Sequence, residues 1–450
     1  MKQLVLIASI FLFSLVSRAQ LWQGVPLQFN HFVTFMYYDS IGEVSYVAGT
    51  FQYVDGVPCN VVQITDSGYH RLPLCPLANV VDMIRYDGKI FACSSMGLAI
   101  WDGTVWDHVL GAGYSFGQFM PYQGKLLISG RTPNSNTSES SLLLWDNGNI
   151  TENLFNIESL WGSQSGNIRR MVEYKGKLYI AGNFSNLVTD PSIHEIAAWD
   201  GSSWHSVGEL ITGGLSSVWD MLVWKDTLYV CGQFDEETGS GANAIAQWDG
   251  QQWHRMGEGL SQSAYPAAAD MMIFNDELYV AGQFNIVNGR LVGDISGSGF
   301  AKWTGTQWCT MGTQARGAIG GLGRFKDDLY VTGAFYEINS MNYEFIARWI
   351  GGDYTDSCSA PESSVGTRST KPEISALTVY PNPATNRISF RSSVDGPVNI
   401  EVWAIDGKSL FSKHASFPLE IDLSAKPSGV YFYKVIQKNK VHTGKFSLRK

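Results

Sequence analysis

The sequence is poor in charge. Asp, Glu, Lys and Arg make up 16% of its 450 residues, and the balance is acidic, with a formal net charge of -9. Without a compact Lys/Arg cluster the chain cannot neutralise a run of phosphates, which argues against nucleic acid or an anionic bilayer as a partner. Apolar residues at helical spacing do not persist over three turns beyond the N-terminal region, so a helical bundle is excluded. No segment after residue 19 is long and apolar enough to be a transmembrane segment. Histidine is scarce, at 8 residues, and neither HExxH nor a paired Cys/His spacing occurs, so the chain spells out no zinc site. GxSxG is missing, and the glycine-rich stretches lack the GKS/T of a phosphate loop.

What the chain has is glycine (47 residues) and aromatics (13%), arranged in a repeat. DMLVWKDTLYVCGQF (220–234) followed by NAIAQWDGQQWHRMG (243–257) is the unit from which most of the chain is copied. Its key glycine recurs at Gly182, Gly232, Gly282 and Gly333, a period of about 50 residues that signals a propeller or solenoid. Seven copies can be laid out. Their second strands (b) read SYVAGTF (45–51), IFACSS (90–95), LLISGR (126–131), LYIAGNF (178–184), LYVCGQF (228–234), LYVAGQF (278–284) and LYVTGAF (329–335). Ahead of strand b each copy carries one apolar residue, Met36, Met83, Phe119, Met171, Met221, Met271 or Leu322, which reads as core between copies. Asp87-Gly88, Gln123-Gly124, Lys175-Gly176 and Asn275-Asp276 are hairpin turns between strands a and b. WDG turns join strands c and d and make cross-strand partners of Trp101 and Trp106, Trp199 and Trp204, Trp248 and Trp253, and Trp303 and Trp308.

Seven four-stranded copies predict an all-β fold, a seven-bladed β-propeller over residues 20–352 followed by a small C-terminal β-sandwich. The last copy stops at Gly352 without a fourth strand. Leu21-Trp22-Gln23-Gly24 resembles the missing piece, so residues 21–27 are expected to complete the seventh blade and close the ring. At the level of the repeat, LYVAGQF with its downstream tryptophan resembles the kelch and galactose-oxidase-type propeller blade, and is also similar to the repeats of fungal cortical polarity markers. No site residue carries over from either resemblance.

The two ends carry addresses. Residues 1–19 combine Lys2, an apolar run from Leu4 to Val16 and the small-x-small site Ser17-Arg18-Ala19, the pattern of a signal peptide. Residues 353–373, rich in Ser, Thr, Gly and Pro, form a linker. Residues 374–450 alternate again as a small all-β domain. Tyr380-Pro381-Asn382-Pro383 opens it, Ile405-Asp406-Gly407-Lys408 forms a middle strand and turn, Pro427-Ser428-Gly429-Val430-Tyr431 follows, and Lys445 begins a basic end. These ordered motifs resemble the type A C-terminal sorting domain of the type IX secretion system of Bacteroidota. The resemblance implies partnership with that secretion machinery, passage through the periplasm, and a secreted or outer-surface location.

Chemistry is harder to place. His70, His108, His205 and His254 fall on outermost strands, where solvated structural roles are the rule. The Asp of WDG reads as a turn former, since Asp-Gly favours hairpins and Thr304 and Ile350 replace it in two copies. The connections between strands b and c vary in length and charge while the strands do not, which makes their face the expected binding face. Asp190, Asp235 and Asp294 are the candidate ligand-binding residues there, with Glu195, Glu236, Glu237, Glu337 and Glu344 nearby, and calcium is a candidate cofactor. The leading reading is a binding module for an extracellular glycan or protein, without catalysis of its own. A glycoside hydrolase or lyase using paired carboxylates, and a structural adhesion component, are the alternatives. Cys59 and Cys75, symmetric about Asp66-Ser67-Gly68, are expected to form a disulfide. Cys93 and Cys231 occupy a small-residue place in strand b and are expected to be buried thiols, whereas Cys309 and Cys358 are only a candidate pair.

Overall fold

A computed structural model describes residues 20–133, 141–146, 148–152, 167–187, 190–208, 217–234, 243–261, 267–287, 290–291, 297–352 and 354–355, and in the tail 378–380, 384–391, 397–404, 408–416, 418–437 and 440–449. Residues 1–19, expected to be a signal peptide, lie outside them. Every regular element among the described residues is a β-strand. The chain divides into two compact units, Met1–Glu362 and Ser363–Lys450.

In the first unit the repeat appears as antiparallel four-stranded groups. The first strands (a) are Val33–Asp39, Asp82–Tyr86, Ser115–Tyr122, Asn167–Tyr174, Ser217–Trp224, Ala267–Phe274 and Ile319–Phe325. Each pairs with its strand b, which pairs with c, which pairs with d; the fifth copy runs Ser217–Trp224, Thr227–Gln233, Ile245–Trp248, Trp253–Arg255. Strand b is apolar along its length because both of its faces are covered; Leu228 to Gly232 are all buried. The a–b hairpins turn through two residues in the left-handed region, as at Lys175 (φ 48) and Gly176 (φ 72), which matches the twist of the flanking strands. The apolar position ahead of strand b is buried in all seven copies.

Successive a strands lie against one another, and that of the seventh copy lies against that of the first. The seventh copy takes its outer strand from the N-terminus: Trp22–Gly24 pairs with Ile346–Trp349, Trp22 opposite Trp349. Trp22 is 1% exposed, packs edge-on against Phe300 and Trp349, and donates from Nε1 to Thr313 Oγ1 at 3.1 Å. The expected role of residues 21–27 therefore rests on one anchored tryptophan.

The WDG segments are turns. Asp200 Oδ1 accepts from the backbone N–H of Ser202 and Ser203 at 2.8 and 2.9 Å, and Asp249 repeats this with Gln251 and Gln252. The following glycines, Gly201 and Gly250, sit at φ 104 and 102, conformations that side chains rarely adopt. The tryptophans flanking each turn are cross-strand neighbours, with ring centroids 5.0–5.4 Å apart.

The Cys59–Cys75 disulfide does not form; both are buried free thiols. The ladder pairs Thr65 with Gly68 and Val62 with Arg71, so the turn centres between Asp66 and Ser67 rather than on Ser67. Extending that register sets Leu74, not Cys75, opposite Cys59, and a one-residue slip reverses the side a residue faces. Instead Cys59 Sγ donates to Val61 O, and Asn60 Nδ2 clamps the carbonyls of Cys75 and Leu77. Cys93 and Cys231 are buried free thiols in strand b. Cys309 is disulfide-bonded; Cys358 lies outside the described residues.

The second unit is two sheets sharing one apolar core. Thr378–Tyr380, Arg387–Arg391 and Leu419–Asp422 form one sheet; Ser409–Ser416, Pro397–Ala404, Gly429–Gln437 and Lys440–Leu448 form the other. Phe390, Ile400, Val402, Tyr431, Val435 and Phe446 meet between them.

Candidate functional site

Strand a of six copies breaks register at one place, between Val33 and Phe35, Phe116 and Gln118, Ile168 and Arg170, Val218 and Asp220, Ala268 and Asp270, and Ile319 and Gly321. Each break is a bulge carrying one extra residue: Thr34, Gly117, Arg169, Trp219, Ala269 and Gly320. The bulge explains the repeat glycine of strand b. A Cβ on Gly182 would sit 1.9 Å from Asn167 O, and one on Gly232 would sit 2.1 Å from Ser217 O, so only glycine lets the bulged backbone close in.

The residue after the bulge, or Asp82 at the equivalent place of the second copy, links one copy to the next. Asp82 Oδ2 accepts from Phe119 N at 2.7 Å, Gln118 Oε1 from Met171 N at 2.6 Å, Asp220 Oδ2 from Met271 N at 2.8 Å, and Asp270 Oδ2 from Leu322 N at 2.6 Å. In the fourth copy Arg170 takes this place and donates from Nε to Asp220 Oδ1 at 2.5 Å. Gly321 and Phe35 hold the place in the seventh and first copies and offer no such acceptor. Between the seventh and first copies Val33 bridges Gly333, Ser45 Oγ donates to Arg324 O at 2.5 Å, and Lys326 pairs with Asp66 and Glu43 at 2.7 and 3.1 Å.

Burial governs the electrostatics of this girdle. It pushes Asp82 up to about 6, against the pull of the Phe119 N–H and Arg170. Burial first, and the charge of Asp220 second, raise Asp270 well above the usual carboxyl range, against the pull of Arg170 and the Leu322 N–H. Burial works against the charge of Arg170, yet Asp220 and Asp270 outweigh it and raise its pKa. These three carboxyls are committed to backbone amides and to Arg170, which leaves none free to act as a general acid or base.

In front of the girdle lies a cavity of about 600 Å³. Its walls come from the starts of a strands and the ends of b strands, including Ser95, Ser115, Asn167, Arg169, Trp219, Ala269 and Gly320. That is the end from which the b–c connections leave. Two side chains dominate it. The guanidinium of Arg169 lies 5.7 Å from the Trp219 ring centroid, and Arg169 makes no ion pair among the described residues. Burial and the neighbouring charge of Arg170 both lower its pKa.

The carboxylates expected to bind ligand are placed differently. Asp190 begins strand c of the fourth copy, its backbone opposite Leu187; Asp235 and Asp294, like Glu236 and Glu237, lie outside the described residues. Glu195 is half-buried, and burial pushes it up to about 8. Glu337 pairs with Arg316 at 3.4 Å. Among the described residues no group of three or more His, Cys, Asp or Glu is arranged to hold a metal. The histidines buttress turns: Nε2 of His205 meets Asp200 Oδ2 at 2.6 Å, and Nε2 of His254 meets Asp249 Oδ2 at 2.7 Å. Arg169 and Trp219 escaped the sequence reading. The signal was present two positions ahead of the core methionine, where the copies switch from Gly117, Ala269 and Gly320 to Arg169 and Trp219.

In the tail, Tyr380 ends the first strand opposite Ser389, Lys408 O receives Ala404 N across the middle turn, and Gly429 lies opposite Leu448. Tyr431 is buried, stacks on Phe446 at 5.5 Å and donates to Pro427 O at 2.6 Å. Lys445 is exposed, while Pro381, Asn382, Pro383 and Gly407 lie outside the described residues. Residues 378–449 match the secretion system C-terminal sorting domain. The tail is a sorting domain. It makes the chain a substrate of type IX secretion, delivered to the cell surface or the extracellular space. No helix among the described residues is long and apolar enough to cross a membrane.

No curated protein sequence matches the chain. Among solved structures it is similar to the extracellular domain of a putative one-component system from B. thetaiotaomicron, with 11% identity and a TM-score of 0.45 over 93% of this chain and 56% of that one. It is also similar to the extracellular domain of a putative hybrid two-component system from the same organism, with 12% identity and a TM-score of 0.47 over 95% and 60%. The chain thus spans 56–60% of the length of those two chains.

Proposed function

We propose that the region ahead of the sorting domain, residues 20–352, is a seven-bladed β-propeller with kelch-like repeats that acts as a secreted or surface-displayed binding module. In this reading 1–19 is a removable signal peptide, 353–373 a linker and 374–450 the sorting domain. The cyclic contact of the a strands and the outer strand contributed by Trp22–Gly24 support the ring. One observation carries the binding function: a cavity on the face of the variable b–c connections presents an aromatic ring and a guanidinium that pairs with no carboxylate among the described residues, while Asp82, Asp220 and Asp270 are engaged with backbone amides of the next copy. That arrangement suits retention of a ligand better than hydrolysis, which needs two carboxyl groups about 5–9.5 Å apart and free to exchange protons.

The test is to pass a polysaccharide panel and an extracellular protein extract over the purified chain from Gln20 onward. Retention without new reducing ends or unsaturated sugars is the expected result. Turnover that disappears with one carboxylate substitution would transfer the assignment to a glycoside hydrolase or lyase.

A further inference from the structure

The chemistry of the cavity is more specific than binding in general. Arg169 is the bulge residue of its strand, held forward of the girdle by backbone geometry. Behind it, Asp220 and Asp270 lie 2.5 and 3.9 Å from the Arg170 guanidinium, so these carboxyls are taken up by Arg170 rather than by Arg169. Among the described residues, the neighbouring charge that acts on Arg169 is that of Arg170, which repels it. Arg169 is therefore an exposed cation on the cavity wall with no counter-ion among the described residues, in a chain whose net charge is -9. Beside it Trp219 offers a ring face and an indole N–H without a partner among the described residues. Ser95, Ser115 and Asn167 add neutral donors and acceptors around the same space.

We infer that the cavity binds a sugar ring bearing an oxyanion, with Arg169 pairing to the anionic group and Trp219 packing against the ring. This rests on the binding-module reading. A guanidinium recognises a planar or tetrahedral oxyanion through parallel N–H donors, which favours a carboxylate or a sulfate ester over a neutral hydroxyl. The hydroxyl and amide groups suit sugar hydroxyls, and about 600 Å³ lies within the range of small-ligand cavities.

Gly320 supplies an independent handle. A Cβ there meets only Gly333 Cα, at 4.0 Å, so a large side chain can grow into the cavity without displacing the wall. The experiment measures binding by calorimetry for the chain from Gln20 onward and for Arg169→Gln and Gly320→Trp. The probes are short uronic acid oligosaccharides, sulfated oligosaccharides, and the carboxyl-reduced and desulfated forms of each. The parent should prefer one acidic series over its neutral form by at least about tenfold, the strength of a charge-assisted hydrogen bond; which series wins separates carboxylate from sulfate. Arg169→Gln should erase that preference, and Gly320→Trp should abolish binding with an unchanged melting temperature. Binding of a neutral saccharide or an extract protein that Gly320→Trp blocks would overturn the acidic ligand and leave the binding module standing. Acidic binding untouched by Gly320→Trp would overturn the site, and failure of every acidic probe to bind would overturn the inference.

Discussion

Removing the indole of Trp22 tests how the ring closes. Trp22 is almost wholly buried against Phe300 and Trp349, and truncating such a side chain to alanine costs about 3–5 kcal/mol. Loss of the hydrogen bond to Thr313 contributes about 1 kcal/mol of that, and Thr313 retains its bond to Met311 O. The cost falls between the sixth and seventh copies, where Trp22 shares one apolar cluster with Phe274, Phe300, Met311 and Trp349. With a urea slope of about 3 kcal/mol/M, the midpoint for Trp22→Ala should drop by about 1 M or more with little change in slope. Trp106→Ala is the control. It occupies the same place opposite Trp101 but is only half-buried, and should cost less than half as much. Circular dichroism in urea reads both variants on the chain from Gln20 onward. A loss below about 1 kcal/mol for Trp22→Ala, or equal losses in the two, would refute closure by this strand.

Asp270→Asn should still fold, since burial at this place favours a neutral side chain over a charged one, although the amide replaces one of the two oxygens that accept from Met271 N and Leu322 N. A raised carboxyl pKa contributes stability that is complete below the unfolded value and is lost as pH rises through the folded value. The parent should therefore lose stability from the ordinary carboxyl range upward, and Asp270→Asn should flatten that slope in melts taken across pH. Asp220→Asn should instead cost about 2–4 kcal/mol by stranding Arg170, somewhat below a fully buried pair because Arg170 is 31% exposed; a silent Asp220→Asn by chemical denaturation would count against the girdle. His205→Ala and His254→Ala should leave ligand binding unchanged and move the melting temperature by less than about 4 °C, as expected of exposed turn buttresses. Deleting residues 374–450 should leave the repeat region folded but held in the periplasm, which cell fractionation with limited proteolysis reads out; normal export would contradict the role of the tail.

Residues near one another in sequence determined most of what could be read without the structure. The copies around Gly182, Gly232, Gly282 and Gly333, the paired tryptophans of the WDG turns and the motifs from Tyr380 to Lys445 depend on short-range rules of turn geometry and alternation, which a linear sequence displays directly. The same locality made Trp22 recognisable as a strand in search of a partner. Tertiary structure decided what depends on register and on contacts about 50 residues apart. A half-step in the Asp66-Ser67 turn separated Cys59 from Cys75. The bulges turned an unremarked position into the cavity wall at Arg169 and Trp219. Asp82, Asp220 and Asp270 became latches because each meets a backbone amide of the next copy, and the raised pKa values of Asp82 and Asp270 follow from burial, which only the folded chain supplies.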